Sequence, residues 1–184
     1  MTCFHKDCWG DKMLYIFVEG PDDHNFFDKV FGGIWGDYQV IEYAHMQHDK
    51  INGYLNTIKS VQDWDYLFFC DEDRKGIKNK RLEILKRFHA LDPDKLYIVQ
   101  VEIESWYYAG VSQEESQRLK MRKYQNDTNT LTKEQFYSKL QRPSERKYIM
   151  AQILEIYAKP LAKTRNTSFS SFYSYIAREP VAVS

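Results

Sequence analysis

Residues 13–23 read MLYIFVEGPDD, an apolar run of six residues that ends directly in acidic residues. The same arrangement occurs twice more, where residues 66–73 read YLFFCDED and residues 96–104 read LYIVQVEIE. Parallel strands that are buried on both faces have such continuous apolar runs, and open α/β sheets bind ligands beyond the carboxyl ends of their strands. We therefore expect the three acidic strand ends to converge at one edge of a parallel sheet.

Carboxylates that gather at one edge of a sheet cannot all stay ionised unless a cation lies among them. Carboxylate oxygens are the ligands that hard divalent ions such as Mg²⁺ prefer in proteins. The sequence therefore predicts a Mg²⁺ site, or a site for the similar ion Mn²⁺, at the edge where the strands end. This prediction depends on the strand ends meeting in space.

Length and composition favour an ordinary globular protein. At 184 residues the chain is expected to form a single domain over its whole length (1–184), large enough to bury a core without disulfides. No apolar run approaches the ~20 residues of a membrane span, and residues 1–8 lack the apolar centre of a signal peptide. The three cysteines (Cys3, Cys8 and Cys70) are an odd number, which argues against a disulfide framework. We expect a cytoplasmic protein that does not contact a membrane.

The net charge is zero, with 26 basic and 26 acidic residues, but the charges are unevenly distributed. Residues 17–73 hold twelve acidic residues and three lysines, whereas residues 74–89 hold seven basic residues and one acidic residue. Residues 118–147 hold nine basic and three acidic residues. An acidic centre with basic flanks suits a metal site surrounded by a polyanion, because basic side chains neutralise phosphates. Solvated helix faces are the alternative explanation of the basic stretches.

Strands and helices are predicted to alternate through the first hundred residues. The alternating pattern of residues 38–43 is typical of a half-covered or edge strand, and Leu82, Leu85 and Phe88 are expected to form the apolar face of the third helix. Such an order predicts a parallel sheet with right-handed crossovers. The predicted strands are 13–18, 38–43, the run ending at 71, and 96–101; the predicted helices start near 21, 50 and 79.

Beyond residue 102 only helices are predicted, at 103–109, 113–124, 133–140, 144–157 and 168–177. The sequence therefore predicts an α/β fold with a mostly parallel, Rossmann-like sheet of about four strands flanked by helices. Residues 13–110 form the α/β core in this interpretation. Residues 111–184 form a helical C-terminal extension.

The strand ends resemble those of the TOPRIM domain, a family shared by topoisomerases, primases and several nucleases. In that family a first strand ends in Glu-Gly and a later strand ends in Asp-x-Asp, as Glu19-Gly20 and Asp71-Glu72-Asp73 do here. Small TOPRIM-like proteins related to the OLD-family nucleases are the most similar members. They have an acidic residue four positions after the first Glu, and segments similar to the EIESWYYA and AKTRNTSF sequences of this chain. Asp23 occupies that acidic position, and the two segments are residues 102–109 and 162–169.

The resemblance spans about residues 13 to 178 and implies a TOPRIM-like fold and metal-dependent phosphodiester chemistry on nucleic acid. An OLD-like nuclease in genome defence is the activity it indicates, with DNA favoured over RNA. Two metal ions about 4 Å apart can activate a water and stabilise the leaving oxygen. Glu19, Asp71 and Asp73 would then bind metal and act in catalysis, while Asp23 and Glu104 would complete a second metal site. Glu19 has a further interpretation as a general acid or base.

A cation is also expected near the phosphate charge that develops during the reaction. Lys163 is the catalytic candidate, and Lys75, Lys78 and Arg165 are alternatives. Two departures from the family are visible. The chain has no G-x-x-x-x-G-K-S/T segment, so an ATP-driven partner would be a separate ATPase chain. No tyrosine can be matched to the nucleophile of the topoisomerases.

Each assignment has a structural alternative. Asp23 is placed to cap a helix, and Glu104 to favour the N-terminus of the following one. Trp106 is expected in the core rather than in a base-stacking surface.

Two other functions remain open. A non-catalytic TOPRIM-like module that binds a partner protein or nucleic acid would keep the fold without turnover. A phosphatase of the haloacid dehalogenase type would use Asp71 as its nucleophile. The phosphatase interpretation leaves Glu19 unexplained, and the basic residues after Asp73 do not match the motif of that family. The sequence does not indicate an oligomeric state.

Overall fold

The structure of the protein is a computed structural model that describes residues 12–177. It contains four strands and nine α-helices within that range. In chain order they are β1 (Met13–Val18), α1 (Pro21–Phe31), β2 (Tyr38–Glu42), α2 (His48–Ser60), β3 (Trp64–Asp71), α3 (Ile77–Arg87), β4 (Leu96–Val99), α4 (Ile103–Ala109), α5 (Gln113–Arg118), α6 (Lys133–Ser138), α7 (Arg146–Glu155), α8 (Lys159–Arg165) and α9 (Thr167–Ala177). Cys3 and Cys8 lie outside the described residues.

The four strands form one parallel sheet in the order β2-β1-β3-β4. β1 lies inside the sheet, with Ile16 opposite Val40 of β2 and Leu67 of β3. β2 is an edge strand, as its alternating sequence predicts. The predicted α/β class is confirmed: a Rossmann-like parallel sheet is flanked by helices and followed by a helical C-terminal part.

Helices cover both faces of the sheet. Neighbouring residues of a strand point to opposite faces, so each strand packs against helices on both sides. Phe68 of β3 belongs to a buried cluster with Leu55 of α2 and Ile84 of α3. Phe69, the next residue, packs on the other face, where its ring centroid is 4.3 Å from that of Phe27 in α1. α1 begins at Pro21, which fits the first turn of a helix because proline has no amide hydrogen to leave unpaired there.

The described chain divides into two compact units between Ile98 and Val99. The first unit holds β1 to β3, α1 to α3 and most of β4, and the second holds α4 to α9. This division comes earlier than residue 110, which the sequence suggests as the end of the α/β core. None of the helices between residues 12 and 177 is long and apolar enough to span a membrane.

The register of α3 differs from the sequence prediction. Leu82 is 61% exposed, whereas Lys80, Ile84 and Phe88 are buried. These three residues are four positions apart, so they share one side of the helix, and Leu82 lies on the other side. The prediction of Leu82 on the buried face is therefore wrong, and the true buried stripe begins with a lysine.

Two helices in the second unit also differ from the prediction. α5 ends at Arg118 rather than at residue 124, because Lys120 and Lys123 adopt positive φ angles of 55° and 50°, which a helix cannot contain. α8 lies in a segment for which no helix is predicted, and it has a proline in its first turn. Trp106 of α4 is buried and stacks on Phe172 of α9, so the expected core position of this tryptophan is confirmed.

Candidate functional site

Two of the acidic strand ends meet at the carboxyl edge of the sheet. The backbone N–H of Asp71, the last residue of β3, donates a hydrogen bond to Oε1 of Glu19, which directly follows β1, at 3.3 Å. β1 and β3 are neighbours, and the chain leaves β1 for β2 on one side and reaches β3 on the other. This reversal of strand order is the switch point at which open α/β sheets bind their ligands.

A tight turn brings Asp73 toward the same edge. Asp73 and Arg74 both have left-handed backbone conformations, with φ angles of 53° and 57°, and Gly76 follows with φ 82°. The Lys75 N–H donates to the Glu72 carbonyl at 3.2 Å and closes the turn. Left-handed conformations cost on the order of 1 kcal/mol for residues other than glycine, and such strain is concentrated at functional sites. The turn directs the Asp73 carboxylate to the N-terminal part of α3.

Lys80 is the cation of this site, and the sequence analysis missed it. Its side chain is buried, its Nζ lies 2.5 Å from Oδ2 of Asp73, and it lies 3.9 Å from Oε1 of Glu19. Burial lowers the pKa of Lys80, but the hydrogen bond to Asp73 and the charges of Glu19 and Asp73 outweigh that effect and leave the pKa raised. Lys80 is therefore positively charged. We name Glu19, Asp71, Asp73 and Lys80 together the carboxylate site.

Burial is the main reason that the pKa of Glu19 is raised above its ordinary value. The charge of Lys80 opposes this shift and the charge of Asp73 adds to it, while the hydrogen bond from the Asp71 amide opposes it. The net effect is a glutamate that holds a proton more readily than an exposed one. A carboxyl group with a raised pKa is suited to proton transfer.

Tyr43 lies beneath the site and is a second residue that the sequence analysis missed. Its hydroxyl is buried and donates a hydrogen bond to the Phe69 carbonyl at 2.9 Å. Burial raises the pKa of Tyr43 well above its ordinary value, and the charges of Glu19, Asp23 and Asp71 raise it further. The tyrosine therefore stays a neutral donor among these acids.

Asp23 has a structural role in α1. Its Oδ2 accepts a hydrogen bond from the Gly20 N–H at 3.2 Å, which completes a capping arrangement at the helix N-terminus. Asp23 therefore caps α1, as the structural alternative predicts. Metal binding by Asp23 stays a prediction.

The donor chemistry of the carboxylate site fits a hard divalent ion, because Glu19, Asp71 and Asp73 offer only carboxylate oxygens. As arranged, however, no group of three or more His, Cys, Asp or Glu side chains among residues 12–177 is positioned to hold a metal. The positive charge next to the carboxylates is instead the Lys80 ammonium. A divalent ion at this site would need Asp73 to turn away from Lys80.

Most of the remaining predicted site residues have structural partners. Lys75 forms an ion pair with Glu83 at 2.7 Å, and Lys78 is exposed on α3. In the second unit, Glu104 is completely buried, and its Oε1 lies 3.0 Å from Lys133 Nζ and accepts a hydrogen bond from the Tyr137 hydroxyl at 2.7 Å. Glu104 thus joins α4 to α6, and its metal role stays a prediction.

Lys163 and Arg165 lie on α8, in the same unit as Glu104. The Nζ of Lys163 is 4.8 Å from the centre of the Tyr173 ring. Arg165 is 3% exposed and donates hydrogen bonds to five backbone carbonyls, so its role is structural. Those carbonyls belong to Tyr108, Ala109, Val111, Gln125 and Asn126.

The sequence signal for Lys80 is its position on the buried face of α3. Its spacing of four from Ile84 and of eight from Phe88 places it in the buried stripe, but the competing apolar residue Leu82 suggests a different face.

Comparison of the chain with models of known protein families, with curated proteins and with solved structures gives no match.

Proposed function

We propose that the protein is a TOPRIM-like, OLD-related nuclease that cleaves phosphodiester bonds in nucleic acid with the help of Mg²⁺ or Mn²⁺. The observation that carries this proposal is the meeting of Glu19 and Asp71 at the switch point of a parallel sheet, next to Asp73 and a buried lysine. Burial of a charged lysine is costly unless it is paired, and buried ion pairs at the ligand-binding edge of a sheet are frequent at functional sites.

The residues of the carboxylate site have distinct roles in this proposal. Glu19, Asp71 and Asp73 would hold the metal, which would activate a water and stabilise the leaving oxygen. In the alternative role, Glu19 would not bind the metal and would instead take up or release a proton at its carboxylate, whose pKa is raised. Lys80 would supply positive charge close to the phosphate that reacts.

The surface next to the site favours a polyanionic substrate. The basic segment 74–87 begins one residue after Asp73, and Arg74, Lys75 and Lys78 are exposed. Such side chains attract phosphates whatever the base sequence. A preference for DNA over RNA, a separate ATPase chain as partner, a role in genome defence and a cytoplasmic location complete the proposal, and they rest on the sequence alone.

The test is incubation of supercoiled plasmid with Mg²⁺ or Mn²⁺, followed by gel analysis of nicked and linear products. We expect cleavage by the wild type and a loss of at least about a hundredfold for Asp71→Asn, because the substitution removes a charged ligand from the metal that would stabilise the developing charge. Asp63→Asn is the matched control, since Asp63 is exposed and precedes the amino end of the same strand. Equal cleavage by Asp71→Asn and the wild type would refute the proposal.

A non-catalytic module is the second candidate, and the Lys80–Asp73 ion pair favours it, because this pair neutralises one carboxylate without a metal. In that case no plasmid or RNA is cut with either ion. A phosphatase that uses Asp71 as nucleophile is distinguished by hydrolysis of a small phosphate ester in the absence of plasmid cleavage.

A further inference from the structure

The second unit contains a cavity of about 340 Å³ whose lining is mainly positive. Its walls are the end of α5 with the turn that follows it, the connection from α6 to α7, and α7 itself. Among the described residues that line it, Arg118, Lys120 and Arg142 are basic, whereas Glu145 is the single acid. The volume lies within the range of ligand sites, and the charge favours an anionic ligand.

Lys120 occupies a position at which helices usually have glycine. Its φ angle of 55° is left-handed. The N–H of Lys120 donates to the Gln117 carbonyl at 2.9 Å, and the N–H of Met121 donates to the Ser116 carbonyl at 2.8 Å. These two hydrogen bonds form the Schellman arrangement that ends a helix, and glycine is preferred there because it has no Cβ. The chain thus has a lysine in the cavity wall where glycine would suit the backbone better.

The wall that holds Lys120 is fixed to α6 by hydrogen bonds. The N–H of Arg122 donates to the Lys139 carbonyl at 2.7 Å, and Nζ of the buried Lys139 donates to the Lys123 carbonyl at 2.8 Å. Leu140, the residue after Lys139, is buried and also lines the cavity. The cavity is therefore preformed, so a ligand does not have to order this part of the chain.

Both arginines of the cavity keep donors for a further partner. Nε of Arg118 lies 2.7 Å from Glu115, and Nη1 of Arg142 lies 2.9 Å from Glu145. A guanidinium has five N–H donors, so each arginine can bind a phosphate while it keeps its carboxylate. The two arginine side chains are 64% and 74% exposed, and ion pairs this exposed add little to stability. Stability of the fold does not account for the basic lining.

An exposed tyrosine lies beside these cations. Tyr148 of α7 lines the cavity and is 64% exposed, which makes it the most exposed aromatic residue between residues 12 and 177. Its hydroxyl accepts a hydrogen bond from Nε2 of Gln152, one turn further along the helix, at 3.1 Å. Proteins bind single-stranded nucleic acids with aromatic rings on which the bases stack and with cations that follow the phosphates. The cavity offers both kinds of group.

We propose that this cavity binds one nucleotide unit of a single-stranded nucleic acid, with the base stacked on Tyr148 and the phosphates held by the three basic side chains. A single strand is the occupant because the base faces of a duplex are covered by their neighbours. The inference concerns binding by the second unit and does not depend on the metal or on the cleavage proposed above. A free mononucleotide and an acidic protein share part of this chemistry, and the test separates them.

Fluorescence anisotropy of a labelled oligodeoxythymidine, titrated with the full chain in EDTA, measures binding without cleavage. We expect Tyr148→Ala to weaken single-strand binding by about tenfold, the factor that corresponds to the loss of one stacked base. Its affinity for a duplex of the same length should not change. Tyr148→Phe keeps the ring and should bind as the wild type does. Tyr175→Ala is the matched control, because Tyr175 is 45% exposed in the same unit.

Lys120→Gly tests the cations without a risk to the fold, because glycine adopts the left-handed conformation of this position readily. The variant should unfold at the same or a higher urea concentration than the wild type. It should nevertheless bind the single strand more weakly, and the plot of log K against log salt concentration should become shallower by about 0.7, the contribution of one phosphate contact. Lys59→Gln removes an exposed cation from α2 and should leave this slope unchanged.

The outcomes separate this inference from the proposed function. Unchanged single-strand affinity of Tyr148→Ala or of Lys120→Gly overturns the inference even if plasmid is cut, and so does an equal loss of duplex affinity in Tyr148→Ala. Displacement of the strand by thymidine monophosphate at equal nucleotide concentration, or more effectively by polyglutamate than by unlabelled strand, overturns it as well. A selective loss of single-strand binding without any cleavage by the wild type supports the inference and refutes the nuclease.

Discussion

Arg165 offers the sharpest test of the structural assignments, through the substitution Arg165→Lys. The guanidinium is 3% exposed and lies over the rings of Tyr108 and Tyr124, at 5.4 and 4.9 Å from their centres. Its Nε–H donates to the Asn126 carbonyl at 2.7 Å, and Nη1 donates to the Ala109 carbonyl at 2.9 Å. The sequence analysis counts this residue among the cations available to a phosphate. In the structure, Arg165 links the end of α4 to the loop at residues 125–126 through these hydrogen bonds.

The expected loss of stability follows from the number of donors. Lysine keeps the charge, but its three donors cannot reach all five carbonyls, so at least two buried carbonyls lose their partner. A buried polar group that loses its hydrogen bond costs about 1–3 kcal/mol. We therefore expect Arg165→Lys to lower the free energy of unfolding of the second unit by about 2–6 kcal/mol, a large fraction of the stability of an ordinary domain.

Urea denaturation followed by circular dichroism measures this loss, and hydrogen exchange of peptides from residues 100–128 locates it. Lys163→Met is the control on the same helix, since a cation beside a single aromatic ring contributes only about 1 kcal/mol or less. If Arg165→Lys unfolds within about 0.5 kcal/mol of the wild type, the structural role of Arg165 is refuted. The residue would then return to the list of catalytic candidates.

Two further predictions concern the first unit. Because burial raises the pKa of Glu19, its ionised form destabilises the fold above the folded-state pKa, and this penalty disappears as the pH falls toward the ordinary value. Glu19→Gln should therefore be at least as stable as the wild type at pH 7 in urea denaturation, lose that advantage at acidic pH, and fail to cut plasmid; a variant clearly less stable at pH 7 contradicts the reasoning. Phe27→Ala should lower the free energy of unfolding by about 3–5 kcal/mol, because Phe27 is fully buried against Phe69. Tyr54→Ala, at a position 41% exposed, should change it by less than about 1 kcal/mol, and comparable losses in the two variants would place the core elsewhere.

The sequence predicts the strands well because their burial leaves a strong local signal. β1 has the predicted bounds, since its apolar run stops where the chain reaches Glu19. The encounter of Glu19 with Asp71 follows from the same signal, because parallel strands that share a sheet bring their carboxyl ends to one edge. For these residues, the local sequence pattern is sufficient to predict their position in the fold.

Lys80 could not be predicted in this way, because its burial is decided by acids that are distant in sequence. Asp73 and Glu19 precede it by seven and 61 positions, and neither lies in the helix that contains Lys80. The apolar residues of α3 support more than one buried face, and only contact with the sheet selects the face that contains Ile84. A lysine in an otherwise apolar stripe interrupts the apolar pattern, although its ammonium group lies next to the carboxylates of the site.

Two of the buried cations among residues 12–177, Arg165 and Lys80, differ in the groups that hold them. Arg165 gives its hydrogen bonds to backbone carbonyls, which are fixed by the fold and cannot be neutralised or replaced. Lys80 is held by side-chain carboxylates, one of which is nearly half exposed. Release of Arg165 would leave several carbonyls unpaired, whereas release of Lys80 would leave carboxylates that solvent can reach. The burial of Arg165 therefore depends on the backbone, and the burial of Lys80 depends on two acidic side chains.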